Sequence, residues 1–226
     1  MLRTLFDRLA GWAETRPRLI LALAVLVGLA VTFVLQTAPP SPRKLTLTPV
    51  VEAALDARGA PMAGAAAPEV TVVIFTDYRC PVCRKTDPAL ERLIAADPTV
   101  KVVFKDWPIL GEQSRLGAQA ALAADRQGKY LQMHRALMAS AAPIIPQALP
   151  QIAREAGVDA ERLERDMGTP EIEAQLSRHA SQAFGLGLRG TPAYLVGPYL
   201  IQGGLDDAAL AAAVRRARKA GPPQPE

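Results

Sequence analysis

Cys80 and Cys83 are the only cysteines among 226 residues, and two residues separate them directly after a strand-like run. That spacing suits a disulfide that is made and broken repeatedly. Val70 to Phe75 is β-branched and apolar enough for a buried strand, and Thr76 to Arg79 then gives a polar turn. A helix is expected from the cysteines onward. Pro81 suits its first position, and Cys83, Leu90, Leu93 and Ile94 recur at helical spacing on one side. Cys80 then caps a helix N-terminus, where free N–H groups and the positive end of the dipole favour a thiolate. Arg79, Arg84 and Lys85 add positive charge nearby, although basic residues on a first helical turn equally suit a solvated face. Cys80 is the expected nucleophile. Cys83, one turn inside, is the expected resolving thiol and the less exposed of the two.

Two other uses of the pair fit the chain less well. Zinc needs two further ligands, and the chain offers only His134 and His179, neither in a ligand-type cluster. No metal and no organic cofactor is therefore expected. A structural staple closing so short a loop removes little entropy from the unfolded chain.

Leu19 to Leu35 is uncharged and almost wholly apolar, with no charge between Arg18 and Arg43. Its length, roughly 26 Å as a helix, is at the short end of a membrane span, and residues 36–40 extend it into the interface. Arg3, Arg8, Arg16 and Arg18 precede it, so the positive-inside rule places the N-terminus in the cytoplasm and the rest outside. A cleaved signal peptide would share this order of charge and apolar residues. Gln36-Thr37-Ala38 followed by Pro39 is a poor cleavage site, and an uncleaved signal-anchor is favoured. Either way the domain reaches an oxidising compartment. Residues 1–44 carry six of the 26 Lys/Arg and two of the 22 Asp/Glu, so the remainder is formally neutral. Nucleic-acid binding loses its support. The basic cluster Arg215, Arg216, Arg218 and Lys219 ends an apparent helix, where cations complement the dipole.

Beyond the apolar segment, Pro39 to Pro42 reads as a stiff spacer, residues 49–58 as a short amphipathic helix packing on its own domain, and Gly59 to Pro68 as a small-residue loop. Val100 to Lys105 is a second strand, one crossover helix after the first, which gives a parallel βαβ unit. Helical patterns then cover 113–127, 130–140, 147–156, 160–167 and 170–184, punctuated by Pro143, Pro146, Gly157 and Pro170. Two short strands, 193–196 and 199–202, flank Gly197-Pro198, and a last helix runs from Asp206 to Lys219. The order βαβ, helical block, ββα is that of a thioredoxin-like α/β fold with an inserted helical domain, preceded by a single N-terminal transmembrane helix. The expected divisions are a cytoplasmic N-terminus (1–18), the signal-anchor (19–37), a linker with the short helix (38–67), the thioredoxin-like domain (68–220, insertion about 111–186) and a tail (221–226).

With Cys80-Pro81-Val82-Cys83, residues 75–80, Trp107-Pro108-Ile109-Leu110-Gly111 and Gly190-Thr191-Pro192 read together, the chain resembles the DsbA family of thiol–disulfide oxidoreductases, in its ScsC-like branch, over about residues 45–220. The resemblance implies Cys80 as nucleophile and Cys83 as resolving cysteine. It implies Pro192 as a cis-proline facing the disulfide, with Thr191 presenting backbone to a substrate peptide, and Pro88 as a helix-kink proline. It implies cysteine-containing exported proteins as substrates and a membrane redox partner that recycles the pair. Its direction stays open between oxidase and reductase or isomerase. A catalytically idle thioredoxin-like binding module in envelope assembly is the alternative.

The chain departs from the family pattern at two positions. Ile74 stands where a buried acid often lies six residues before the first cysteine, which leaves Asp77 and Lys105 as weak candidates for proton transfer to Cys83. Val82 stands where oxidases often carry a histidine that supports the thiolate. His134, with Met133, Leu137 and Met138 around it, reads as helix packing, and Trp107 and Tyr130 read as core or rim.

Overall fold

The structure, a computed structural model, describes residues 17–37 and 40–224. It divides into two units, residues 1–39 and 40–226. In the first, Pro17–Thr37 (α1) is a helix of 21 residues. Its described side chains, Leu19 and residues 21–32, are all exposed. Among the described residues no helix is long and apolar enough to cross a membrane. Arg3, Arg8 and Arg16, on which the orientation reading rests, lie outside the described residues.

The second unit is built on one six-stranded sheet. Its strands are Arg43–Lys44 (β1), Met62–Gly64 (β2), Val70–Thr76 (β3), Val100–Asp106 (β4), Ala193–Val196 (β5) and Tyr199–Gln202 (β6), in the order β1-β6-β5-β3-β4-β2. β3 and β4 are parallel, with Ile74 opposite Phe104, and every other pairing is antiparallel. The parallel pair is joined by Pro81–Ala96 (α3), as the βαβ pattern requires. β3 is buried on both faces, which is why its sequence is a continuous apolar run rather than an alternation. Val72 and Ile74 point into one core with Tyr78, Leu90, Phe104, Met133 and Leu137. Val73 and Phe75 point into the other with Val51, Val103, Trp107 and Ala183.

Two short edge strands correct the sequence reading. Residues 43–44, within the expected linker, pair with β6, and Met62–Gly64, read as loop, pairs with β4. Strands of two and three residues are too short to carry a periodic signal. The short helix is Pro49–Leu55 (α2), capped by Thr48, whose hydroxyl accepts from the Val51 N–H. Val51 and Ala54 are buried on the domain's own core, as expected.

The helical insertion comprises Glu112–Asp125 (α4), Tyr130–Ala139 (α5), Leu149–Glu155 (α6), Ala160–Met167 (α7) and Pro170–Gly185 (α8). Asp159 caps α7 through the Arg162 N–H, and Asp206 caps the final helix, Asp207–Ala220 (α9), through the Ala209 N–H. The loop before α9 approaches α3 closely. A Cβ on Gly204 would lie 2.7 Å from both Val82 Cγ1 and Thr86 Cγ2, so only glycine lets this loop lie on the first turns of the cysteine helix.

Candidate active site

Cys80 is the N-cap of α3, with Pro81 as the first helical residue. Its sulfur accepts the Cys83 N–H at 3.5 Å, one of the donors that a helix start leaves without an intrahelical partner. The Cys80 thiol donates to the Thr191 carbonyl at 3.2 Å, and the Thr191–Pro192 peptide bond is cis. The β3–α3 turn and the segment entering β5 are thus brought together, because β5 is the antiparallel neighbour of β3 and Phe75 faces Ala193. Both cysteines are free and buried, Cys80 at 6% exposure and Cys83 at 2%. The expected order of exposure holds, with a small margin. Burial pushes the Cys83 thiol up to about 12.

Neither sequence candidate for proton transfer is available for that task. Asp77 is buried, and its two oxygens accept from the backbone N–H groups of Arg79 (2.7 Å), Ile109 (2.8 Å) and Leu110 (3.2 Å) and from Ser114 Oγ (2.7 Å). It is a clasp between the turn before Cys80 and the entry to the insertion. Lys105 shares its side of β4 with Val103, towards the core under α2 and α8 rather than the one containing Cys83. Its ammonium donates to the Asp56 carbonyl at 2.7 Å, and burial lowers its pKa to about 8.

The basic neighbours also divide. Arg84 reaches the Ser140 carbonyl after α5 and so joins the redox helix to the insertion, whereas Lys85 is exposed. Trp107 and Tyr130 are core residues. His134 is buried as expected but is more than packing, since both of its nitrogens have partners: Asp87 Oδ1 at 2.8 Å and the Tyr78 hydroxyl at 2.9 Å. The sequence carried no signal for this, because the partners lie 47 and 56 residues away.

A rim of exposed apolar side chains, Val82, Ile109 and Leu110, belongs to the cysteine helix and to the loop that Asp77 clasps. Among the described residues no group of three potential metal ligands occurs.

A dithiol pair at a helix N-terminus, faced by a cis-proline loop on a sheet with a helical insertion between β4 and β5, defines a thioredoxin-like redox domain. The DSBA-like thioredoxin domain model matches residues 71–215, and the chain belongs to that family of thiol–disulfide oxidoreductases. It is similar to a thioredoxin-like oxidoreductase from Silicibacter pomeroyi DSS-3, with 42% identity and a TM-score of 0.71 over 74% of this chain and 97% of that one. A periplasmic thioredoxin-like protein from Salmonella enterica serovar Typhimurium is 30% identical, with a TM-score of 0.68 over 78% of this chain and 99% of that one. A probable disulfide bond formation protein D from Bacillus cereus is 29% identical over 56% of this chain and 65% of its own length. The chain spans 23% of the length of longer curated relatives, Na(+)/H(+) antiporters from two Salinispora species.

Proposed function

We propose that the protein exchanges disulfides with cysteine-containing exported proteins through Cys80, outside the cytoplasm, while tethered to the membrane by the apolar segment 19–37. The observation that carries this reading is the position of the Cys80 sulfur. It accepts from the Cys83 N–H at the helix start and lies 3.2 Å from the Thr191 carbonyl. Attack by the Cys80 thiolate on a substrate disulfide gives a mixed disulfide, and Cys83 resolves it. The cis-proline loop offers the Thr191 backbone to the substrate chain, and Val82, Ile109 and Leu110 supply apolar contact for an unfolded segment. No cofactor is required, because the electrons move between sulfur atoms. A membrane redox partner resets the cysteine pair after each turnover.

The anchor rests on the sequence alone, on the uncharged apolar run Leu19 to Leu35, roughly 26 Å long as a helix. Four arginines before it orient the N-terminus to the cytoplasm. The periplasmic relative from Salmonella supports the same side for the domain. Protease treatment of spheroplasts tests the topology: the domain should be digested while the N-terminal residues are protected.

Insulin reduction and oxidative refolding of a reduced test protein, run side by side with purified protein, test the activity and read its direction. Catalysis in either assay that is lost in Cys80→Ala supports the reading. Parent activity in neither leaves the idle binding module in its place.

A further inference from the structure

Four cations gather at one edge of the sheet. Lys44 lies on β1 directly opposite Tyr199 of β6, and residues paired in an antiparallel ladder point to the same face. The Arg216 guanidinium sits over the Tyr199 ring, 5.7 Å from its centre. On α9, Arg215, Arg216 and Lys219 recur at helical spacing and, with Ala212, line an open surface hollow of about 300 Å³. Lys44 and these three α9 cations are exposed. Among the described residues none of the four is paired with a carboxylate.

Complementing the helix dipole accounts for only part of this cluster. Arg218 and Lys219 lie in the last turn of α9, whereas Arg215 and Arg216 precede it and Lys44 belongs to another element. Arg218 also has carboxylate partners, Glu69 at 2.9 Å and Asp97 at 3.0 Å. The fold therefore neutralises one basic residue of α9 and leaves three beside Lys44.

The place where the chain enters the domain indicates what this patch meets. Pro40 is the first residue of the second unit and lies against Gly203, on which a Cβ would be 3.3 Å from Pro40 Cγ. Only residues 38 and 39 separate Pro40 from the apolar segment 19–37, so at most about 11 Å of extended chain joins the two. From there β1 runs antiparallel to β6, away from Gly203 and toward Tyr199. One end of this sheet edge is tied covalently to the apolar segment, and the other end carries the cations.

We propose that Lys44, Arg215, Arg216 and Lys219 bind anionic phospholipid headgroups of the bilayer that holds residues 19–37, so that the β1 edge of the sheet lies along the membrane. The proposal rests on the anchor proposed above. Near an anionic surface each cation strengthens attachment roughly fivefold, and the attraction is screened by salt. The attachment also sets the height of the redox site. β3 is the fourth strand from that edge, and at about 4.8 Å between strands its end lies roughly 14 Å from β1. Ala193 pairs with both Phe75 and Gln202, so Cys80 and the cis-proline loop belong to the end of the sheet at which Pro40 enters. The reacting sulfur is thereby held near the bilayer but clear of it, within reach of a membrane redox partner and of exported chains.

The full-length protein is reconstituted into nanodiscs of phosphatidylcholine alone or of an equal mixture with phosphatidylglycerol, and its lysines are acetylated with a membrane-impermeant reagent and read by mass spectrometry. Lys85, exposed on α3, is the internal reference. In the mixed discs Lys44 and Lys219 should react about fivefold more slowly relative to Lys85 than in phosphatidylcholine, and concentrated salt should remove the difference. Arg215→Gln combined with Arg216→Gln, two charges fewer, should weaken docking about 25-fold and remove the difference as well. Equal relative rates in the two lipids overturn the proposal, and so does a difference that neither salt nor the double variant reduces. Slowing of Lys44 and Lys219 by inorganic phosphate in phosphatidylcholine discs also overturns it, because the cations then hold a free anion rather than a bilayer. If the double variant does not fold, the lipid and salt comparisons on the parent decide. Flotation tests the anchor separately. Full-length protein that fails to float with phosphatidylcholine vesicles refutes the anchor and with it the attachment at two points, whereas protein that floats but reacts equally in both lipids refutes the cationic patch alone.

Discussion

Ser114 Oγ donates to Asp77 Oδ1 at 2.7 Å, and this bond fastens the first turn of the helical insertion to the turn that presents Cys80. The same carboxylate accepts from three backbone N–H groups, two of them in the loop that carries Ile109 and Leu110. Asp77→Ala leaves four donors without their acceptor in a buried place. Hydrogen bonds to a charged group contribute about 1.5–3 kcal/mol each, and water entering the gap recovers part of the loss. The expected net cost is about 3 kcal/mol in urea unfolding, with Asp77→Asn costing less because one oxygen is retained. Equal stability of Asp77→Ala and the parent would show that the clasp contributes nothing.

The placement of the two sulfurs separates the roles proposed for them. Cys83 lies one turn inside α3 and is the more buried, so Cys83→Ala should leave Cys80 able to form mixed disulfides that are not resolved. Cys80→Ala should abolish exchange and trap nothing. Non-reducing gels of membranes carrying each variant check this: substrate adducts on Cys80→Ala, with none on Cys83→Ala, would reverse the assignment.

Much of this architecture was legible in the sequence because its strong signals are local. The apolar run of β3, the proline after Cys80 and the capping Asp206 each act within a few residues of where they stand, and β5 and β6 appear at 193–196 and 199–202 as read. β1 and β2 escaped because their positions are set by β6 and β4 rather than by a pattern of their own. The polar interior escaped for a related reason. Asp77 looked like a stray acid near a thiol, and its partners at 109, 110 and 114 become visible only when the insertion folds back. His134 looked like packing because nothing adjacent in sequence can bond an imidazole, whereas Asp87 and Tyr78 reach it from the redox helix and the turn before it.

Gly204 offers a test of how closely the β6–α9 loop fixes the cysteine helix. An alanine methyl there would meet Val82 Cγ1 and Thr86 Cγ2 at 2.7 Å, closer than carbon atoms pack. Val82 is half-exposed and can turn away, but Thr86 donates to the Val82 carbonyl at 2.9 Å and is less free to move. Gly204→Ala should therefore cost about 1–2 kcal/mol, the range for overpacking that side chains partly absorb. It should also change the alkylation rate of Cys80, since the displaced residues form the first turns of its helix. A variant with parental melting temperature and parental alkylation rate would mean that the loop yields instead.

His179 gives the fold a specific sensitivity to acid. The imidazole is buried on α8, with Nδ1 at 3.1 Å from the Asp106 carbonyl. Burial, with the positive charge of Lys105 adding to it, lowers its pKa from 6.5 to about 3. Between those values the unfolded chain binds a proton that the folded chain refuses, so stability falls as the pH drops from about 6.5 and the loss is complete near 3. At about 1.36 kcal/mol per pKa unit, the full effect is roughly 4–5 kcal/mol. His179→Gln keeps a side-chain amide able to donate to the Asp106 carbonyl and has no proton to gain. Its unfolding free energy should be lower than the parent's at pH 7, where packing is imperfect, yet should fall less steeply between pH 6 and 4. Parallel curves for the two proteins over that interval, measured by urea unfolding, would assign the acid sensitivity to carboxylates alone.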